Sequence, residues 1–240
     1  MEQSRMQHAY ERLREKMLNG ELAPGSRLVN RALGAEFGLS TVTVREAIHR
    51  LTSEGLVEHV PNAGAFVRTL DRRATAELYR FRAALEEFAL GETIRRAEAD
   101  TLERLERLCD RMRALCAAAR SRPGRRLEGP VHADWLATDL DFHRELAAAA
   151  ENRWLTKTLQ DLDLMARIAA TKGTTIEFGP AAATYRIHRE IVRALRARDL
   201  GRALVWMRSH DRLGLDSLGL GRRDLGRTGG DRPPLDAQGP

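Results

Sequence analysis

The chain has 240 residues, enough for two modest domains or one large one with a buried core of their own. With 42% hydrophobic and 31% charged residues it has a globular makeup, which excludes wholesale disorder and fibrous repeats, and no apolar run nears the roughly 18 residues of a membrane span, so a cytoplasmic protein with no membrane partner is expected. The net charge of +6 invites a nucleic-acid partner but does not establish one: residues 1–70 hold nine Lys and Arg against eight Asp and Glu, and all but three of the 40 basic residues are arginine, a bias that a GC-rich genome produces as readily as phosphate binding.

From Arg5 to Leu18 the apolar residues Met6, Ala9, Tyr10, Leu13 and Met17 keep the three-and-four spacing of a helix, which Asn19 and Gly20 end. A turn over residues 22–26 leads to a short helix from about Asn30 to Phe37, stopped by Gly38. Ser40 then caps a third helix running to about Glu54, stopped by Gly55. Leu56–Val60 and Ala65–Arg68 flank Pro61, Asn62, Ala63 and Gly64, the signal of a β-hairpin. Helix, helix, helix, hairpin is the order of a winged helix-turn-helix, assigned to residues 1–70. Beyond Asp71 no strand is expected; helices are predicted at about 72–97, 100–120, 132–150, 152–171, 180–198 and 200–218, an all-helical bundle domain spanning 71–219. The fold class is therefore mainly α. Cys109 and Cys116 lie seven apart on one of these helices, about 10 Å at about 1.5 Å per residue, too far for a disulfide and suited to two packed, reduced thiols. Residues 220–240 turn to Gly, Arg, Asp and Pro and are expected to form a disordered tail.

Two stretches carry a family resemblance. Gly20-Glu21-Leu22-Ala23-Pro24-Gly25-Ser26-Arg27-Leu28, then Leu39 to Leu51, then Glu54-Gly55-Leu56-Val57, resemble the DNA-binding domain of GntR-type transcriptional regulators without a gap. Arg82-x-x-Leu85-Glu86, Asp139-x-x-Phe142-His143, Asn152, His188 and His210 resemble the FCD-type ligand-binding domain of the FadR branch. The resemblance covers about residues 7–215 and implies a homodimer on double-stranded operator DNA, released or rearranged when a small organic acid binds the helical domain.

The side chains suit that reading. A recognition helix presents short polar residues and arginine at its amino-terminal end to the major groove and buries an apolar face behind. Ser40, Thr41, Thr43 and Arg45 supply the first; Val44, Ala47, Ile48 and Leu51 supply the second. Arg45 can fork to a guanine edge or a phosphate, the resemblance places a further contact at Arg31, and Gly64 at the hairpin tip lets the wing backbone approach the duplex. Many relatives carry arginine after the capping residue and often proline two places later, where this chain has Thr41 and Val42, so its operator is expected to differ from the familiar consensus.

In the helical half, Asp139 and His143 project from one face of one helix with Leu136, Leu140, Leu146 and Ala147, while His188 and His210 continue apolar stripes of two others. One carboxylate and three imidazoles suit a divalent Zn, Ni, Mn or Fe ion, and the resemblance implies the same four positions; a hydrogen-bonded core network is the alternative. An ion held by four protein ligands in octahedral coordination keeps two positions for a carboxylate effector. Arg82, on the stripe Leu78, Phe81, Leu85, Ala89, either anchors that effector or pairs with Glu86 four residues on. The functional expectation is a metabolite-responsive dimeric transcription regulator. A metalloenzyme is the rival, though no general base or nucleophile beside the site is visible; a constitutive DNA binder with a vestigial sensor is a third reading.

Overall fold

The structure, a computed structural model, describes residues 2–121, 124–169 and 175–220; of the tail expected over 220–240 only Leu220 is described, and it is buried, while 221–240 lie outside the described residues. Helix α1 (Glu2–Leu18) buries the expected stripe of Ala9, Tyr10, Leu13 and Met17. Helices α2 (Asn30–Phe37) and α3 (Thr41–Ser53) contribute Leu33, Phe37, Val44, Ala47, Ile48 and Leu51 to the same core. Strands β2 (Val57–Val60) and β3 (Gly64–Val67) form the expected hairpin, with Val57 opposite Val67 and both buried. A third strand, β1 (Arg27–Leu28), pairs antiparallel with β3 and closes the sheet in the order β1-β3-β2. Two residues are too few to show any alternation, which is why periodicity gives no strand between the turn at 22–26 and α2. Each fully buried Leu, Ile or Val of this core contributes about 1.5–3 kcal/mol.

The rest of the described chain is helical: α4 (Arg72–Arg96), α5 (Ala99–Arg120), α6 (Gly129–Ala149), α7 (Arg153–Ala169), α8 (Phe178–Arg196) and α9 (Leu200–Ser217). Its main core joins Leu90 and Ile94 of α4, Leu105 of α5, Phe142 and Leu146 of α6, Ile191 and Leu195 of α8, and Met207 of α9. The expectation of a strand-free second domain is corrected by β4 (Arg126–Glu128) and β5 (Thr175–Glu177), which pair antiparallel with Leu127 opposite Ile176. Three-residue strands joined across fifty residues leave no local period to read. Helices α6 and α8 begin three and two residues earlier than expected, with Pro130 and Pro180 in their first turns, where no proline N–H is needed.

Phe81 and Leu136, both placed on apolar faces by their spacing, instead face outward, 53% and 38% exposed, as does Val205 of α9 at 60%. Phe81, Ala84 and Phe88 instead share an exposed face of α4 at three-and-four spacing. Cys109 and Cys116 are buried and unbonded, and burial pushes their thiols up to about 12 and about 11. Helix α7 crosses between the two halves: Leu155 and Leu159 pack with α4 and α6 residues, whereas Leu164 and Ile168 are buried in the core of the winged helix-turn-helix.

Candidate metal centre and nucleic-acid interface

Ser40 is the N-cap of α3, its Oγ accepting the Thr43 N–H at 3.1 Å. Thr43 is buried and its hydroxyl lies 2.8 Å from Ser40 Oγ, so it completes the cap instead of facing outward. Thr41, Val42 and Arg45 are exposed on the first turns of α3, and Arg31 is exposed at the start of α2. At the wing tip Gly64 has φ 109°, a backbone state that L side chains rarely adopt, and a Cβ there would lie 3.6 Å from the Arg27 Nε. Arg27, exposed on β1, is thus a basic side chain beside the wing that sequence reasoning did not single out, because its pairing with β3 leaves no local signal.

In the helical domain the structure brings Asp139 and His143 of α6, His188 of α8 and His210 of α9 together, one ligand atom from each within 4.8 Å of the others. The α8 and α9 stripes turn inward because Ile187, Ile191, Ala203 and Met207 bury beside them. His188 is wholly buried, stacked on Phe142 at 4.0 Å with an interplanar angle of 4°. Its Nδ1 lies 3.3 Å from Met112 Sδ, which leaves Nε2 facing Asp139 Oδ1 at 3.7 Å. His210 Nε2 stands 3.8 Å from the same oxygen. Both distances exceed a hydrogen bond. Asp139 Oδ1, His143 Nε2 and His188 Nε2 are accordingly buried with no hydrogen-bond partner among the described residues.

The electrostatics follow from this crowding. Burial works against the Asp139 carboxylate, but His210, His188 and His143 outweigh it and hold its carboxyl well below the usual range. Burial, reinforced by His210, pushes His188 well below its ordinary value, so its ring is neutral at pH 7. Burial opposes charge on His210 too, yet the Asp139 and Asp211 carboxylates push it up to about 9. An anionic oxygen and imidazole nitrogens that converge without partners form a donor set that could hold a metal ion.

Arg82 does pair with Glu86, Nε to Oε1 at 3.0 Å, and also with Asp163 of α7 at 3.2 Å. Glu86 Oε1 lies 3.0 Å from His143 Nδ1, so the pair adjoins the cluster. Sequence reasoning missed Asp163, although an acid four residues after Leu159 and three before Ala166, both buried, sits on an apolar stripe. Arg144, next to His143, points away from the cluster and is exposed beside Asp141. Between α4 and α9 runs a surface groove of about 570 Å³ lined by Arg80, Glu87, Arg208 and Asp211 among others.

A winged helix-turn-helix carried on a helical domain with an inward-facing Asp/His cluster defines a transcription regulator of the helix-turn-helix class. Comparison with known proteins agrees. Residues 5–67 match the bacterial regulatory proteins of the gntR family, and residues 77–213 match the FCD domain. The chain is 28% identical over 209 residues to the HTH-type transcriptional regulator BphR of Paraburkholderia xenovorans, covering 86% of this chain and 82% of that one. It is 30% identical over 146 residues to the Nta operon transcriptional regulator of Aminobacter aminovorans, covering 61% of this chain and 64% of that one. Among solved structures, McbR/YncC of E. coli superposes with a TM-score of 0.73 at 19% identity, covering 90% of this chain and 97% of that one. The chain belongs to the GntR family of bacterial transcriptional regulators and carries an FCD domain.

Proposed function

We propose that this regulator is a cytoplasmic homodimer that binds an inverted-repeat operator and is switched by a small organic acid at a metal-containing site in its helical domain. Residues 1–70 read DNA, with the amino-terminal turns of α3 in the major groove: Thr41 and Arg45 face bases or phosphates, Arg31 and the Gly64 wing hold the backbone, and Ser40 with Thr43 sets the start of the helix. Residues 71–219 bind the effector and dimerise. The exposed Phe81, Ala84 and Phe88 face of α4 supports a second copy as partner, since two-fold pairing also matches a palindromic site.

One observation carries the metal: three ligand atoms, Asp139 Oδ1, His143 Nε2 and His188 Nε2, are buried, convergent and unpartnered. An unpaired buried polar group costs about 1–3 kcal/mol, more for a charge, and coordination by these residues with His210 removes that cost. A bound Zn, Ni, Mn or Fe ion supplies a positive centre for a carboxylate oxygen of the effector. Arg82, already facing two acids, holds Glu86 beside His143 in this reading, while the effector's carboxylate is taken by the ion.

The test joins two measurements on the purified full chain. Elemental analysis should find about one tightly held transition metal per chain and little in a His188→Ala variant. Duplexes selected from a random pool should be inverted repeats, with affinity altered by small carboxylates only in the metal-loaded protein. A metal-free parent that still answers a carboxylate would overturn the reading.

A further inference from the structure

The Arg82, Glu86 and Asp163 group lies outside the four-residue cluster yet touches it, and one of its members stands on a helix that reaches the DNA-binding half. Arg82 and Glu86 are one turn apart on α4, and Asp163 meets them from α7. All three are largely buried, so neither carboxylate has water to fall back on and the two share one guanidinium. Glu86 Oε1, shared between Arg82 at 3.0 Å and His143 Nδ1 at 3.0 Å, is positioned by that pairing.

The residues following Asp163 on α7 face the other domain. Leu164 and Ile168 are buried in one core with Leu13, Met17, Ile48 and Leu51, and Met165 packs against it. Met165 Cε lies 3.3 Å from where a Cβ on Gly55 would sit, and Gly55, at φ 76°, is the turn by which the chain leaves α3. Asp163 and Ile168 are five residues apart, about 7.5 Å along a helix, so both sets of contacts hang on one short rigid segment.

We infer that Asp163 is a positioning residue coupling the two halves: through Arg82 and Glu86 it fixes the ring of His143, and through the α7 turns that follow it passes any shift there to the exit of the recognition helix. The inference rests on the metal reading proposed above. Its physical content is a coupling free energy between cluster occupancy and the order of the segment around Gly55, carried by side chains in direct contact.

The test uses the full chain, zinc alone as the probe and an isosteric variant, Asp163→Asn. Zinc affinity is read by competition with a chromophoric chelator, and amide hydrogen exchange is followed with and without zinc. In the parent, zinc should slow exchange in the cluster segments of α6, α8 and α9 and also across residues 44–57. In Asp163→Asn, zinc should bind within about tenfold of the parent and still protect the cluster, because Arg82 and Glu86 stand between Asp163 and the ligand His143, while the slowing across 44–57 falls several-fold. Met165→Ala, which leaves the acid group intact, should likewise lose the distant effect at unchanged zinc affinity, and it decides the matter should Asp163→Asn fail to fold. Full zinc-dependent slowing at 44–57 in both folded variants would overturn the inference, as would a parent that binds zinc with no change there. A parent that binds no zinc overturns the metal reading itself, and the occupancy measurement separates that result from the others.

Discussion

Removing the ring of His188 separates a coordinating cluster from a merely packed one. The ring is wholly buried, lies flat on Phe142 at 4.0 Å and touches Met112 Sδ at 3.3 Å, so His188→Ala opens a cavity whatever the role of its free nitrogen. By the usual size of large-to-small core changes this costs about 2–4 kcal/mol. Metal linkage adds a second, separable amount: with free ion at about one hundred times its dissociation constant, the native state gains about 2.7 kcal/mol. For a chain of this size each kcal/mol moves the melting temperature by about 2–4 °C. Chelator should therefore lower the parent's Tm by about 5–11 °C. The variant should melt lower than the chelated parent by about 4–16 °C and respond to chelator by less than about 1 °C. Differential scanning calorimetry with and without EDTA, beside elemental analysis, reads both quantities. A parent indifferent to chelator, or a variant that keeps the parent's full response, would refute coordination through His188.

Arg45→Ala should weaken operator binding by about 1–3 kcal/mol at unchanged melting temperature, read by a mobility-shift titration; equal affinity in a folded variant removes Arg45 from recognition. Arg31→Ala should reduce the slope of log affinity against log salt by about one charge, and an unaltered slope argues against a phosphate contact. Phe81→Glu with Phe88→Glu should shift sedimentation from dimer toward monomer at micromolar concentration, whereas a persistent dimer puts the interface elsewhere on the surface. Because burial pushes Cys109 and Cys116 up to about 12 and about 11, a disulfide reagent at neutral pH should find neither thiol until the protein is denatured, and rapid titration of two native thiols would contradict the packing.

Local chemistry made most of the architecture legible. Ser40 before an apolar-periodic run, Gly38 and Gly55 as stops, and a hairpin around Pro61–Gly64 are signals confined to a few residues, and the structure realises each. Asp139 and His143, four apart, were certain to share a face once the helix was recognised; that His188 and His210 meet them depends on how α8 and α9 pack, which no spacing encodes. The strands β1, β4 and β5 escaped because two or three residues carry no period and their partners are distant in sequence. Phe81 and Leu136 misled for a different reason: apolar residues on a helix mark every contact face, including those that a lone chain leaves exposed. Asp163 was missed because its partners come from another helix, and a buried acid is recognisable only once those partners are in view.

The placement of Leu164 and Ile168 bears on how this chain can be cut or recombined. A fragment ending at residue 70 would carry every element of the winged helix-turn-helix and still lack two aliphatic side chains that fill its core, leaving a wet apolar notch beside Leu13, Met17 and Ile48. Grafting these seventy residues onto another helical domain therefore requires a matching plug on the new partner, or the hybrid reader will be soft and prone to self-association. The seam between reader and sensor thus follows one flank of α7, some ninety residues downstream of the hairpin, and shuffling of modules along this lineage would have to conserve the fit of that flank as well as the covalent join.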